Sequence, residues 1–211
     1  MLDNKTVREF VAELGSNSPA PGGGSVAALS ASLACALGAM VFNLTVGKKA
    51  YASLKDEEKA LVDRHLEVTD KLKDEFLDLM NKDVDAFNSV MAAFKLPKET
   101  EEEKAIRSEK IQEGYKGAIA IPLEVARKTF SLYDSILVSV KYGNKNAISD
   151  GGVAALMTQS AIEGAILNVK INLSSIKDEE YKVAMEKEIE ALANEGLKRK
   201  EEILAIVKEN M

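Results

Sequence analysis

Between Asp56 and Phe94 the apolar residues recur at helical spacing, and one carboxylate stands among them. With Phe76 at zero and about 100° per residue, Met80, Phe87 and Phe94 fall within about 40° of it, and Asp83 lies about 20° away on the same face. Asp85 projects to about 180°, where a solvated carboxylate belongs. A carboxylate facing apolar surroundings has to be paired, bound to a ligand or protonated. A raised pKa would equip Asp83 for general acid and base chemistry near neutral pH. The structural alternative is a carboxylate bonded to a neighbouring helix. His65, the only histidine, falls near the same stripe. It precedes Asp83 by roughly 27 Å of helix, so it is expected as a buried or half-buried structural residue and not as a partner.

Three further groups could hold a ligand. The stretch Ser18-Pro-Ala-Pro-Gly-Gly-Gly-Ser25 leads into a long apolar segment. Its glycines, Gly22, Gly23 and Gly24, permit close backbone approach, and Ser25 is placed as an N-cap. The N–H groups of such a helix start attract an anion, although a capped turn entering a core helix explains the same residues. No Gly-Lys-Ser/Thr follows, so this is not a nucleotide loop. Lys48 and Lys49 complement the dipole at the far end of that helix, and either could instead hold a ligand carboxylate. Asn168 and Asn172, four apart, share a helix face and need partners, either from each other and the backbone or from a polar ligand.

The elements that must position these residues are all helical, and no strand pattern occurs. Val7, Phe10, Val11 and Leu14 form a short helix ended by Gly15. Val26 to Val46 carries no charge and, at about 20 residues, reaches membrane-spanning length. Its Ala, Ser and Gly content and Asn43 mark a buried helix. The small-residue ridges Ala27-Ala31-Cys35-Ala39 and Ser30-Ala34-Gly38 invite close helix packing, including a subunit contact. A helix from about Asp56 to Phe94 follows, then a charged linker and a helix from about Glu101. Pro122 is expected to kink or break that helix near Ile121, after which the pattern runs on to Tyr142-Gly143. Ser149 or Asp150 is placed to cap the next helix, about Val153 to Leu173. Lys177 to Met211 is amphipathic, with Ile189, Ala193, Leu197, Leu204 and Val207 on one side. The expected fold is an all-α antiparallel bundle of long helices in a single domain, residues 1–211.

Composition narrows the classes further. The chain has 211 residues, is 46% hydrophobic and carries net charge −6, which suits a globular core and argues against a nucleic-acid surface. Cys35 is the only cysteine, so no intramolecular disulfide or thiolate metal cluster is available, as fits the cytoplasm. The charged N-terminus does not read as a signal peptide.

The ordered set of motifs resembles the cyclodeaminase/cyclohydrolase family from end to end. It comprises the glycine stretch, Leu44-Thr45 with Gly47-Lys48-Lys49, Asp83-Val-Asp-Ala-Phe87, Leu96-Pro97-Lys98, the Pro122 helix, Gly143-Asn144, Ser149-Asp150 and Asn168-Val-Lys-Ile-Asn172-Leu. The resemblance implies a dimer-forming helical enzyme that acts on the one-carbon unit bridging N5 and N10 of tetrahydrofolate; from charge and composition, neither nucleic acid nor membrane is expected as a partner, and the cytoplasm is the expected location. Asp83 matches the family's proposed proton donor. Gly22, Gly23, Gly24, Ser25, Lys48, Lys49, Asn144, Ser149, Asp150, Asn168 and Asn172 are the implied substrate-binding positions. The reduced folate is the substrate, and no metal or redox cofactor is required. The competing reading is a non-catalytic helical dimer that binds folate or serves as an interaction scaffold.

Overall fold

The computed structural model describes residues 1–211 and contains helices and no strands. The α-helices are α1 (Val7–Leu14), α2 (Gly23–Asn43), α3 (Lys49–Ala52), α4 (Asp56–Phe94), α5 (Glu101–Tyr142), α6 (Ile148–Leu173) and α7 (Glu179–Asn210). Helices α2, α4, α5 and α6 close a ring around one core, each packed on its two neighbours. Cross-helix contacts fix the directions. Ser25 meets Asp83 while Ser32 reaches the Lys73 carbonyl, so α2 and α4 run antiparallel. Asn172 meets Ala118 while Tyr133 meets Gln159, so α5 and α6 do too. The result is an up-down-up-down four-helix bundle, with α7 laid against α5 and α6.

Helix length, more than topology, shapes one end of this bundle. Helices α4 and α5 have 39 and 42 residues, against 21 and 26 for α2 and α6. Both long helices therefore overhang the end of the bundle where α2 begins and α6 ends. Thr100 closes a capping box with Glu103 at the start of α5, and three acidic residues sit in that first turn. The overhang is a helical hairpin whose tip is Leu96-Pro97-Lys98.

Several expectations change. Helix α5 is continuous, with Pro122 inside it. A proline in a helix interior costs about 3 kcal/mol, partly because the carbonyl four residues back loses its donor. Here that carbonyl, on Ala118, accepts from Asn172 Nδ2 at 3.1 Å. Helix α2 starts two residues before Ser25, with Gly22 at the N-cap and no side-chain cap, so Ser25 lies within the first turn. Helix α6 likewise starts at Ile148 with no side-chain cap, which places Ser149 and Asp150 inside it; Asn144 caps the short 3-10 turn Lys145–Ala147 just before it, accepting from Asn146 N–H at 3.0 Å. On α7 the buried positions are Ile189, Gly196, Ile203 and Val207, while Leu197 is exposed.

The charge-free helix is the centre of the bundle. One helix, α2, is long and apolar enough to cross a membrane, and most of it is buried by the other helices. Ala27, Ala31, Cys35 and Ala39 are all buried within the protomer, so that ridge is not free to meet a second subunit. Burial pushes the Cys35 thiol up to about 12. His65 is half-buried, with Nδ1 2.9 Å from Ser135 Oγ, and burial lowers its pKa.

Candidate active site

The step between the overhanging hairpin and the shorter helices forms a cleft of about 390 Å³. Its floor is the start of α2, Gly22 to Gly24, and the end of α6, with Asn168, Ile171 and Asn172. Its wall is the overhang: Val84, Phe87, Met91 and Phe94 from α4 and Tyr115 from α5. Phe94 and Tyr115 meet edge to face, with ring centroids 6.2 Å apart. Asp83 sits at the corner where floor and wall join.

Ser25 and Gly24 make that corner. The fully buried Ser25 hydroxyl donates to Asp83 Oδ2 at 2.8 Å. A Cβ on Gly24 would overlap Asp83 Oδ1, so glycine is what allows the first turn of α2 to lie against the carboxylate. Burial raises the Asp83 pKa above its ordinary value, and the hydroxyl and backbone N–H of Ser25 pull it partway back. No basic side chain contributes to that shift. Asp85 is exposed, as its position on the wheel requires.

A half-buried carboxyl with a raised pKa, held by Ser25 alone and with access to a cleft, can give and take a proton. Around it the polar surface is sparse. The first N–H groups of α2 have no helical acceptors; that of Ser25 serves Asp83, and Gly22 to Gly24 line the cleft floor. Asn168 Nδ2 donates to the Gly164 carbonyl at 2.8 Å, and a Cβ on Gly23 would lie 3.1 Å from that nitrogen. No group of three or more His, Cys, Asp or Glu side chains is arranged to hold a metal ion.

The sequence candidates separate into two clusters. Gly22, Gly23, Gly24, Ser25, Asp83, Asn168 and Asn172 come together at this end of the bundle. Lys48, Lys49, Asn144, Ser149 and Asp150 lie at the other end and do not line the cleft. Asn144 N–H donates to Thr45 Oγ1 at 2.8 Å and its side chain to the Leu44 carbonyl at 3.2 Å, which ties the start of α6 to the end of α2. The length of α2, about 30 Å, separates the clusters within one protomer. The apolar wall is not legible in the sequence as part of a site. Phe87, Met91 and Phe94 carry core-like periodicity, and the only signal for their exposure is that α4 outlasts the helix it packs against.

Comparison with known proteins adds an independent line. The formiminotransferase-cyclodeaminase family profile matches residues 6–191. A methenyltetrahydrofolate cyclohydrolase of Methylorubrum extorquens is 38% identical over 208 residues, which covers 99% of this chain and 98% of that protein. The formimidoyltransferase-cyclodeaminase of Gallus gallus is 36% identical over 206 residues, covering 98% of this chain but 37% of that longer protein. The crystal structure of a formiminotetrahydrofolate cyclodeaminase from Thermotoga maritima shares the fold, with a TM-score of 0.79 at 29% identity over 100% of this chain and 97% of that one.

Proposed function

This chain belongs to the formiminotransferase-cyclodeaminase family, and from that premise we propose that its Asp83 cleft performs proton transfer at the N5/N10 one-carbon bridge of a reduced folate. The observation that carries the reading is the Asp83 carboxyl, raised in pKa by burial at the corner of a cleft walled by aromatic side chains. Two relatives' names give the two directions of chemistry. In a cyclohydrolase, water adds to the methenyl carbon and loses a proton. The bond to N5 then breaks as N5 gains a proton and the hydroxyl gives up its own to form the carbonyl, leaving 10-formyltetrahydrofolate. In a cyclodeaminase, N10 attacks the formimino carbon and loses its proton, and ammonia leaves after its nitrogen is protonated.

Both routes pass through a tetrahedral carbon, and both need one group that accepts a proton on attack and donates one to the departing nitrogen. Asp83 is suited to that exchange. Ser25 holds its carboxyl in place, and the residue lines the cleft where the substrate would lie. Van der Waals contact with Phe87 and Phe94 suits the flat pterin and aminobenzoyl rings. Purified protein assayed in parallel with methenyl- and formimino-tetrahydrofolate tests the proposal. Turnover of one or both is expected, and turnover of neither rejects it.

The assembly belongs to the same proposal. Helix α2 leaves Leu33, Met40 and Leu44 exposed, at 47%, 37% and 43%. With half-buried Ser30 and Leu37 they form a 3-4-3-4 spaced seam of the kind that packs against another helix. Neighbouring α6 exposes Val153, Leu156, Leu167 and Ile171. A second copy packed across this face by a two-fold axis near Leu37 runs antiparallel along α2. That arrangement brings the partner subunit's Lys48 and Lys49 alongside the cleft. The split of the candidate residues into two ends of one protomer is what supports it.

A further inference from the structure

We propose that Pro122 and Asn172 form a positioning pair that fixes the side-chain oxygen of Asn172 as an acceptor for the 2-amino/N3–H edge of the pterin. The inference rests on the folate reading and goes beyond it by assigning which residues read the ring. Pro122 has no N–H, so the Ala118 carbonyl lacks its helical donor. Ala118 and Pro122 are both buried, Ala118 at the edge of the cleft. Asn172 Nδ2 supplies the missing bond at 3.1 Å and spends its other hydrogen on the Asn168 carbonyl at 3.0 Å. Both acceptors are carbonyl oxygens, so the amide has one orientation. A flip would set Oδ1 against two acceptors.

With both N–H bonds committed, Asn172 Oδ1 has no protein partner, and it is not sealed from solvent. It therefore offers the cleft an acceptor that cannot become a donor. Neighbouring Asn168 commits one of its two amide hydrogens to the Gly164 carbonyl. At Asn172 a ligand that fits must bring an N–H group. On a reduced folate bound with N5 at Asp83, the donors of the distal ring are the 2-amino group and N3–H. Register agrees with that choice. Asn168 abuts Gly23, next to the Gly24–Asp83 contact, and Asn172 lies one helical turn, about 6 Å, farther along α6. The pyrazine ring then sits near Asp83 and the pyrimidine ring near Asn172.

The experiment is a cycle of Asn172→Ala, Pro122→Ala and the double variant, read by thermal stability and by KM and kcat. Asn172→Ala alone is expected to lose stability, because the buried Ala118 carbonyl loses its donor. In the double variant the restored backbone N–H at position 122 serves that carbonyl, so stability returns to the parent's or above. KM is expected to stay about three- to tenfold high, the size of one lost ligand hydrogen bond, with kcat little changed. The 2-desamino-2-methyl analogue of the substrate should bind the parent more weakly by a similar factor and suffer no such loss with the double variant. A double variant that regains parental KM together with stability overturns the inference, because Asn172 is then only a helix clamp. So does an analogue penalty undiminished in the double variant. A parent enzyme that turns over neither folate overturns the function instead, so the two failures are distinguishable.

Discussion

At the scale of single residues, Asp83 is where solvent and apolar wall meet, and the proton-transfer role proposed for it can be tested there. Asp83→Asn keeps the shape and the Ser25 hydrogen bond but cannot exchange a proton. Turnover is expected to fall by about 10²–10⁴-fold, with folate affinity little changed, while exposed Asp85→Asn stays near parental. Stability moves the other way. A carboxyl whose folded pKa is raised contributes fully below its unfolded pKa, and that contribution is lost as pH rises through the folded value. Asp83→Asn should therefore be more stable than the parent at neutral pH, with the difference vanishing below the ordinary aspartate range; a difference independent of pH in melting curves would contradict the raised pKa. Gly24→Ala tests the corner itself. Its methyl group collides with the Asp83 carboxylate, so both melting temperature and turnover should drop. The period of the apolar stripe makes Asp83 readable in the sequence, because side-chain direction follows from helical geometry alone. Ser25 is readable there only as a helix cap. A start two residues earlier turns it inward, and nothing local to Ser18–Ser25 distinguishes the two starts.

At the scale of elements, the site exists because two helices outrun the two beside them. The ends of α4 and α6 are legible to within a few residues, from Pro97 beyond one and the loss of periodicity after the other. The cleft between them is not, since no helix announces what it fails to cover. The continuity of α5 is hidden for a related reason. Pro122 breaks a helix considered alone, and the side chain that replaces the lost donor comes from Asn172, on another helix. The overhang can be tested without disturbing the bundle. Phe94 is 41% exposed, leans edge-on against Tyr115 and carries Arg107 over its ring at 5.6 Å. Phe94→Ala removes a wall of the cleft and little of the core. KM for the reduced folate is expected to rise by about tenfold or more, with only a small fall in melting temperature. A large stability loss with unchanged KM would mark Phe94 as packing.

At the scale of the whole molecule, helical period throughout and the absence of strand patterns make the all-α bundle plain, but no local pattern says that the motif residues fall at two ends. Lys48 and Lys49 stand the length of α2, about 30 Å, from Asp83 in their own protomer. An antiparallel second copy removes that distance, which yields a linked pair of expectations. Leu33→Lys, a charge placed in the exposed seam, should convert a dimer into monomers by light scattering and lower turnover with it. A parent that is already a strict monomer at micromolar concentration would defeat the arrangement. Mixed dimers decide whether the lysines act across subunits. Lys48→Ala/Lys49→Ala protein should lose affinity for polyglutamylated folate more than for the monoglutamate, and Asp83→Asn protein should lose turnover. Co-assembled, the double-lysine chain supplies an intact Asp83 and the Asp83→Asn chain supplies intact lysines, so one of the two clefts is complete. Turnover of polyglutamate at limiting concentration should then return toward half the parental value. If the lysines serve the cleft of their own chain, the mixture restores nothing, because no cleft in the mixed dimer combines both; if they serve no cleft, the double-lysine protein already matches the parent for every tail length.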